Sequence, residues 1–332
     1  MAKIVLGMGT SHGPMLSTPP EQWDARVAAD RMNTRHHYKG RTWTFEELIK
    51  ERSNLNLGAQ ITLDVWKRRH KQCRTALDTL AKVWEETRPD VAVIVGNDQR
   101  EIFKEDATPA MAVFWGDTIV NRDFDAEQLA KMAPGVAVSV PGHTPPGGAT
   151  YRGLPSLGRH IIETMMRDEF DITAITKMQG DRTPHAFGFI FRQIMKDKVP
   201  PNVPVMLNTF YPPNQPTATR CLDFGRSLVK AIESWPSESR VALIASGGLT
   251  HFVIDEAVDQ TILDAMRRGD IKNIAALGEE IFQAGTSEVK NWIPVAAAMA
   301  DMNYKLNIVD YVPCYRSEAG TGNAMGFVYW QA

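Results

Sequence analysis

The run Asp90-Val-Ala-Val-Ile-Val-Gly96, followed at once by Asn97-Asp-Gln-Arg-Glu101, decides the fold of this 332-residue chain. Apolar residues in succession, with no polar alternation, describe a strand covered on both faces, as in parallel sheets flanked by helices. Polar residues placed directly beyond such a strand fall at its carboxyl end, where open α/β sheets bind ligands. Upstream, residues 57–88 carry Leu63, Trp66, His70, Leu77, Leu80 and Trp84 at helical spacing, and Pro89 stops that helix.

Working outward, similar patterns predict strands at Lys3–Gly9, Ala110–Trp115, Ile172–Thr176, Val203–Asn208, Val241–Ala245, Ile308–Val312 and Ala324–Tyr329. Helical patterns fill Leu154–Arg167, Ala186–Lys196, Thr217–Ser234, Glu256–Arg268 and Ser287–Met302. This alternation predicts a single-domain three-layer α/β/α sandwich over 1–332, with a largely parallel or mixed central sheet. Residues 23–56 are polar, hold His36-His37-Tyr38 and the Trp43/Phe45 pair, and read as an insertion or lid outside the core. Proline and glycine mark loops at Pro141-Gly-His-Thr-Pro-Pro-Gly-Gly148 and Tyr211-Pro-Pro-Asn-Gln-Pro216.

Composition narrows the function classes. Net charge is -2, with 43% hydrophobic and 23% charged residues, which points to neither a nucleic-acid nor a membrane-surface partner. The basic run Lys67-Arg68-Arg69-His70-Lys71 sits within a helical pattern and reads as a solvated face. Three cysteines without CxxC spacing suit a reducing compartment. The opening apolar run is too short for a signal peptide and no later run is long enough to span a bilayer, so a cytoplasmic location is expected.

Three segments carry polar residues just past a strand or at a helix start: Gly9-Thr-Ser-His12, Ser246-Gly-Gly-Leu-Thr-His251 and Gly285-Thr-Ser-Glu288. Two imidazoles and a carboxylate from distant parts of one chain can form a metal or acid/base centre. Each has a plainer reading: His12 as a loop cap, His251 as a structural histidine, Glu288 as an acid favoured in a helix's first turn. His185, beside Phe187, Phe189 and Phe191, suits either a planar-ligand pocket or a helix start. No P-loop, GxGxxG, HExxH or GxSxG segment follows a suitable strand.

Together these segments resemble the class III extradiol ring-cleavage dioxygenases, specifically the catalytic subunit of protocatechuate 4,5-dioxygenase. The resemblance spans nearly the whole chain. It also takes in Asn97-Asp98, Phe170-Asp-Ile-Thr173, Thr209-Phe-Tyr-Pro-Pro213, Trp292 and Gly320-Thr-Gly-Asn-Ala-Met-Gly326. It implies non-haem Fe(II) held by His12 and Glu288, His251 as the acid/base, His185 as a second active-site histidine, and Thr250 and Tyr211 at the substrate. The family's second metal histidine follows an Asn-Asp pair, and Gln99 stands in that place here. Gln99 as a weak ligand, Asp98 or Glu101 turned inward, or His36 or His37 from the insert would complete the shell.

The leading expectation is therefore a dioxygenase using Fe(II) and O2 on a catechol-like or aminophenol-like aromatic, with Arg182, Arg220 or Arg316 available for a substrate carboxylate. The alternatives are a metal-free or altered-metal hydrolase, decarboxylase or C–C lyase on a phenolic compound, and a non-catalytic binding subunit. A homodimer is expected, with room for a small partner subunit.

Overall fold

The computed structural model describes residues 1–332, with thirteen strands in chain order. β1 (Lys3–Ser11) precedes a hairpin of β2 (His36–Tyr38) and β3 (Arg41–Trp43). Next come β4 (Val91–Gly96), β5 (Met111–Phe114), β6 (Thr118–Asn121), β7 (Ala149–Arg152), β8 (Thr173–Ile175) and β9 (Asn202–Leu207). The series ends with β10 (Arg240–Gly247), β11 (His251–Val253), β12 (Lys305–Tyr315) and β13 (Thr321–Gln331).

The main sheet runs β11-β13-β1-β10-β4-β9-β5-β8, with β12 paired to β13. β1, β10, β4 and β9 are mutually parallel, while β13 runs antiparallel to β1 and β5 antiparallel to β9. The reason is legible in the strands themselves: β4 and β9 are buried at every position, so both faces need cover. Val91, Val93, Val95, Leu243 and Ala245 face one apolar layer, which includes the helices Pro155–Arg167, Ala218–Ser234, Glu256–Arg268 and Val289–Asp301. Ala92, Ile94, Ala242 and Ile244 face the other, against the long helix Leu63–Thr87 and the His185–Phe189 segment. Each of these fully buried Val and Ile side chains contributes about 1.5–3 kcal/mol of transfer free energy. The result is an α/β sandwich of three layers.

Helix ends follow local chemistry. Asp255 accepts from the Val258 amide to start Glu256–Arg268, and Gly269 ends it in the left-handed region at φ +69°. Thr217 caps Ala218–Ser234 from outside the helix. The predicted helix at Ser287–Met302 instead starts with a tight turn, Ala284–Glu288, so Glu288 closes that turn and does not open the long helix.

The polar stretch 23–56 is not bare surface. Trp43, Phe45 and Leu48 are buried against Val253 and Ala319, and Arg52 donates to the carbonyls of Ile254, Ala319 and Gly320. The antiparallel pair β6–β7, unseen in the sequence patterns, forms its own small sheet. All three cysteines are buried and free, with Cys73 Sγ and Cys314 Sγ 3.8 Å apart. No helix is long and apolar enough to cross a membrane.

Candidate active site

Sheet topology gathers the polar residues at one edge. Ser11 is in register with Gly247, and Ala245 with Val95, so His12, Gly248 and Asn97 leave the carboxyl ends of β1, β10 and β4 side by side. β13 does the rest. Its Phe327 pairs with Thr10 of β1 and its Asn323 pairs with His251 of β11, so one strand carries both histidines along the same side. His12, Gln99, His185, His251 and Glu288 line a common cavity of about 390 Å³, within the usual range for small-molecule sites.

Glu288 lies at its centre. One carboxylate oxygen is 3.2 Å from His12 Nε2 and 3.5 Å from His251 Nε2. The other accepts from Asn97 Nδ2 and Gln99 Nε2, each at 3.2 Å. Asn291, on the following helix, donates to Asn97 Oδ1 and to the Ser246 carbonyl, fixing the amide that holds Glu288. Burial pushes the Glu288 carboxyl up, but attraction to His12 and His251 outweighs it and keeps the group well below the usual carboxylate range.

The histidine tautomers can be read from their partners. Ser246 Oγ donates to the Ala186 carbonyl at 2.6 Å, so it must accept from His12 Nδ1 at 2.9 Å. The His12 Nε2 lone pair then faces the cavity, and that buried atom has no hydrogen-bond partner. Burial lowers the pKa of His12, which favours the neutral ring. His251 Nδ1 lies 2.8 Å from the Leu249 carbonyl, which can only accept, so the neutral form of this ring has its lone pair on Nε2. Two glycines make room for that ring: a Cβ on Gly248 would sit 2.5 Å from His251 Cε1, and one on Gly285 2.2 Å from His251 Cδ2.

His185 differs. Glu101 accepts from its Nδ1 and from its backbone amide, both at 2.9 Å. Burial opposes its charge, but Glu101 overrides this and raises the imidazole to about 9, while Glu101 itself falls to about 2. The ring of His185 stands edge-on to His12, with centroids 4.7 Å apart. His143 completes the cluster 6.0 Å from His185, and burial, then the charge of His185, lower it to about 4.

Several expectations need correction. Thr250 does not line the cavity, because its hydroxyl donates to Asp259 and accepts from the Asp255 amide. Tyr211 faces a separate small pocket with Asp98 and Arg100. His36 is buried against the Asp30 carbonyl and His37 lines another pocket, so neither reaches His12 or Glu288. Asp98 caps the amides of Glu101, Ile102 and Phe103, and Glu101 holds His185, so neither turns toward Glu288. Arg182 bonds Gln128, Arg220 bonds the Glu169 carbonyl, and Arg316 is locked on Asp30. Nothing in the sequence marks Arg26 or Asn291, and His143 is marked only by its residue type. His143, in a proline-glycine loop, was the most findable of these.

No three His, Cys, Asp or Glu side chains have the spacing of a metal shell, and beside Glu288 stands the amide of Gln99. The donor chemistry still suits a divalent ion. His12 offers an orphaned lone pair, Glu288 an anion, and Gln99 an amide whose oxygen and nitrogen interchange by a half-turn.

Residues 64–324 match the family described as the catalytic LigB subunit of aromatic ring-opening dioxygenase. A gallate dioxygenase of Pseudomonas putida is 35% identical over 118 residues, covering 33% of this chain; the chain thus spans about a third (34%) of that relative's length. An uncharacterized protein of Escherichia coli K12, of known structure, aligns over 98% of this chain and 99% of its own, at 14% identity and a TM-score of 0.48. With the match covering most of its length, this chain belongs to the family of catalytic LigB subunits of aromatic ring-opening dioxygenases.

Proposed function

We propose that the protein is an extradiol-type dioxygenase that opens the ring of a catechol-like or aminophenol-like aromatic with O2, using non-haem Fe(II). The observation that carries this reading is the convergence of His12 Nε2 and His251 Nε2 on one oxygen of Glu288 inside a cavity of single-ring size. His12, Glu288 and the Gln99 amide would hold the ion, which when bound supplies a Lewis-acid template where ring oxygens and O2 meet and exchange electrons.

The protein's part is proton handling and placement. His251 Nε2 accepts a proton from a ring hydroxyl, with Nδ1 held by the Leu249 carbonyl so that the base keeps its aim. It later returns that proton as the ring opens. His185, kept protonated by Glu101, presents its Nε2–H to the cavity as a fixed donor for developing negative charge. A homodimer, with or without a small partner subunit, is part of the same proposal.

A second reading has one observation in its favour. With Asn97 and Gln99 donating to Glu288 Oε1, that oxygen is satisfied without any ion, leaving His251 and His185 for metal-free acid/base chemistry on a phenolic substrate. Anaerobic purification, loading with Fe(II), and O2 uptake with gallate, protocatechuate and catechol separate the two. Iron-dependent uptake with a coloured ring-opened product supports the dioxygenase. Chelator-insensitive turnover of a phenolic ester or acid supports the rival.

A further inference from the structure

The wall that carries Arg26 holds a charge without a partner. Arg26 is half-buried and lines the cavity, yet its guanidinium makes no hydrogen bond and no ion pair. Its stem is packed: a Cβ on Gly135 would lie 3.0 Å from Arg26 Cγ, so the side chain rests on the turn beside Met132 and Val136. The nearest counter-charge is already committed. Asp30 accepts from Arg316 Nε and Nη2 at 2.7 and 2.8 Å, and Thr321 donates to the same carboxylate. The cavity's own acids are also engaged, Glu288 by Asn97 and Gln99 and Glu101 by His185.

We infer that Arg26 is the recognition site for a carboxylate on the aromatic substrate, an assignment that rests on reading this cavity as the substrate site. A guanidinium pairs with a carboxylate through two parallel N–H donors, which fixes ring orientation as well as adding affinity. Phe124, Val140 and Phe252 line the same cavity and supply apolar surface for an aromatic ring. Burial and the like charge of Arg316 disfavour the charge on Arg26 by more than Asp30 supports it, and an incoming anion offsets that difference.

Equilibrium binding by calorimetry, with two ligands that differ only in the carboxylate, tests the assignment without requiring turnover. Protocatechuate and catechol serve as the pair, on the wild-type protein, R26A and R26K. The wild type should prefer protocatechuate. R26A should weaken protocatechuate about 10- to 100-fold while leaving catechol within about twofold. R26K, which keeps the charge but loses the fork, should fall between. Equal loss for both ligands, no loss for either, or no wild-type preference for the carboxylate would overturn the assignment. If binding follows this pattern but no O2 is consumed, Arg26 stands and the dioxygenase reading fails.

Discussion

Ser246 sets the tautomer of His12: its hydroxyl accepts from Nδ1 at 2.9 Å because its own proton is committed to the Ala186 carbonyl at 2.6 Å. One small side chain at the end of β10 thereby decides which nitrogen of a ring on β1's extension faces the cavity. Ser246→Ala leaves the buried Nδ1–H of His12 unpaired, a cost of about 1–3 kcal/mol in unfolding free energy. It should also weaken Fe(II) binding about 10- to 100-fold, as loss of such a supporting partner does. Denaturant titration and anaerobic metal titration read the two effects.

Gln99 is where the donor set departs from two histidines and a carboxylate. Gln99→His puts an imidazole in place of a weak neutral oxygen donor. Fe(II) affinity should rise at least about tenfold, measured by competition with a chelator. An unchanged affinity would mean that position 99 does not face the ion.

His251→Ala removes the only Nε2 lone pair beside Glu288 other than that of His12. Turnover should fall about 10²- to 10⁴-fold, the usual worth of a general base, with the circular dichroism spectrum unchanged. Turnover near the wild-type level would end its assigned role.

Gly285→Ala places a methyl 2.2 Å from His251 Cδ2 and 2.5 Å from its carbonyl oxygen, so the ring must move. A displacement approaching 1 Å should lower kcat on the order of 10²-fold. The same substitution at Gly58, where a Cβ would meet nothing within 4 Å, should leave activity alone and serves as the control.

Asp259 gives a pH signature. Burial, opposed only in part by donors from Thr250 and Tyr311, raises its carboxyl to about 7 from an ordinary value of 3.8. The folded state therefore holds a proton that the unfolded chain has released. This contribution to stability is fully present below about pH 3.8 and is lost as pH rises through about 7. Wild type minus Asp259→Asn should slope downward across that window by at most about 1.4 kcal/mol per pH unit. A flat difference from urea titrations at pH 4 to 8 (roughly that window) would contradict it.

What the sequence made legible was local. The unbroken apolar run of β4, the alternating layers of β10 and the capped helix Glu256–Arg268 follow from burial and end chemistry that neighbouring residues state themselves. His12, His251 and Glu288 were visible because each follows glycine or small residues, which a ring packed against backbone requires. Arg26 and His143 were not, because their roles come from loops far apart in the chain meeting over the sheet edge. Thr250 and Tyr211 were misplaced for the same reason: nothing near them in sequence announces Asp259 or the Asp98–Arg100 pocket as their partners. The β6–β7 pair is short and only partly buried, which leaves no clear periodicity.

On the proposed function, His12, Glu288 and His251 form one centre for oxygen-dependent ring opening. Its most direct test is mass spectrometry of the product formed from gallate under ¹⁸O₂ by the Fe(II)-loaded protein, alongside Glu288→Gln. A ring-opened product carrying both labelled oxygen atoms is expected from the wild type, and none from the variant. An unlabelled product, or a labelled one formed equally well without the Glu288 carboxylate, would contradict it.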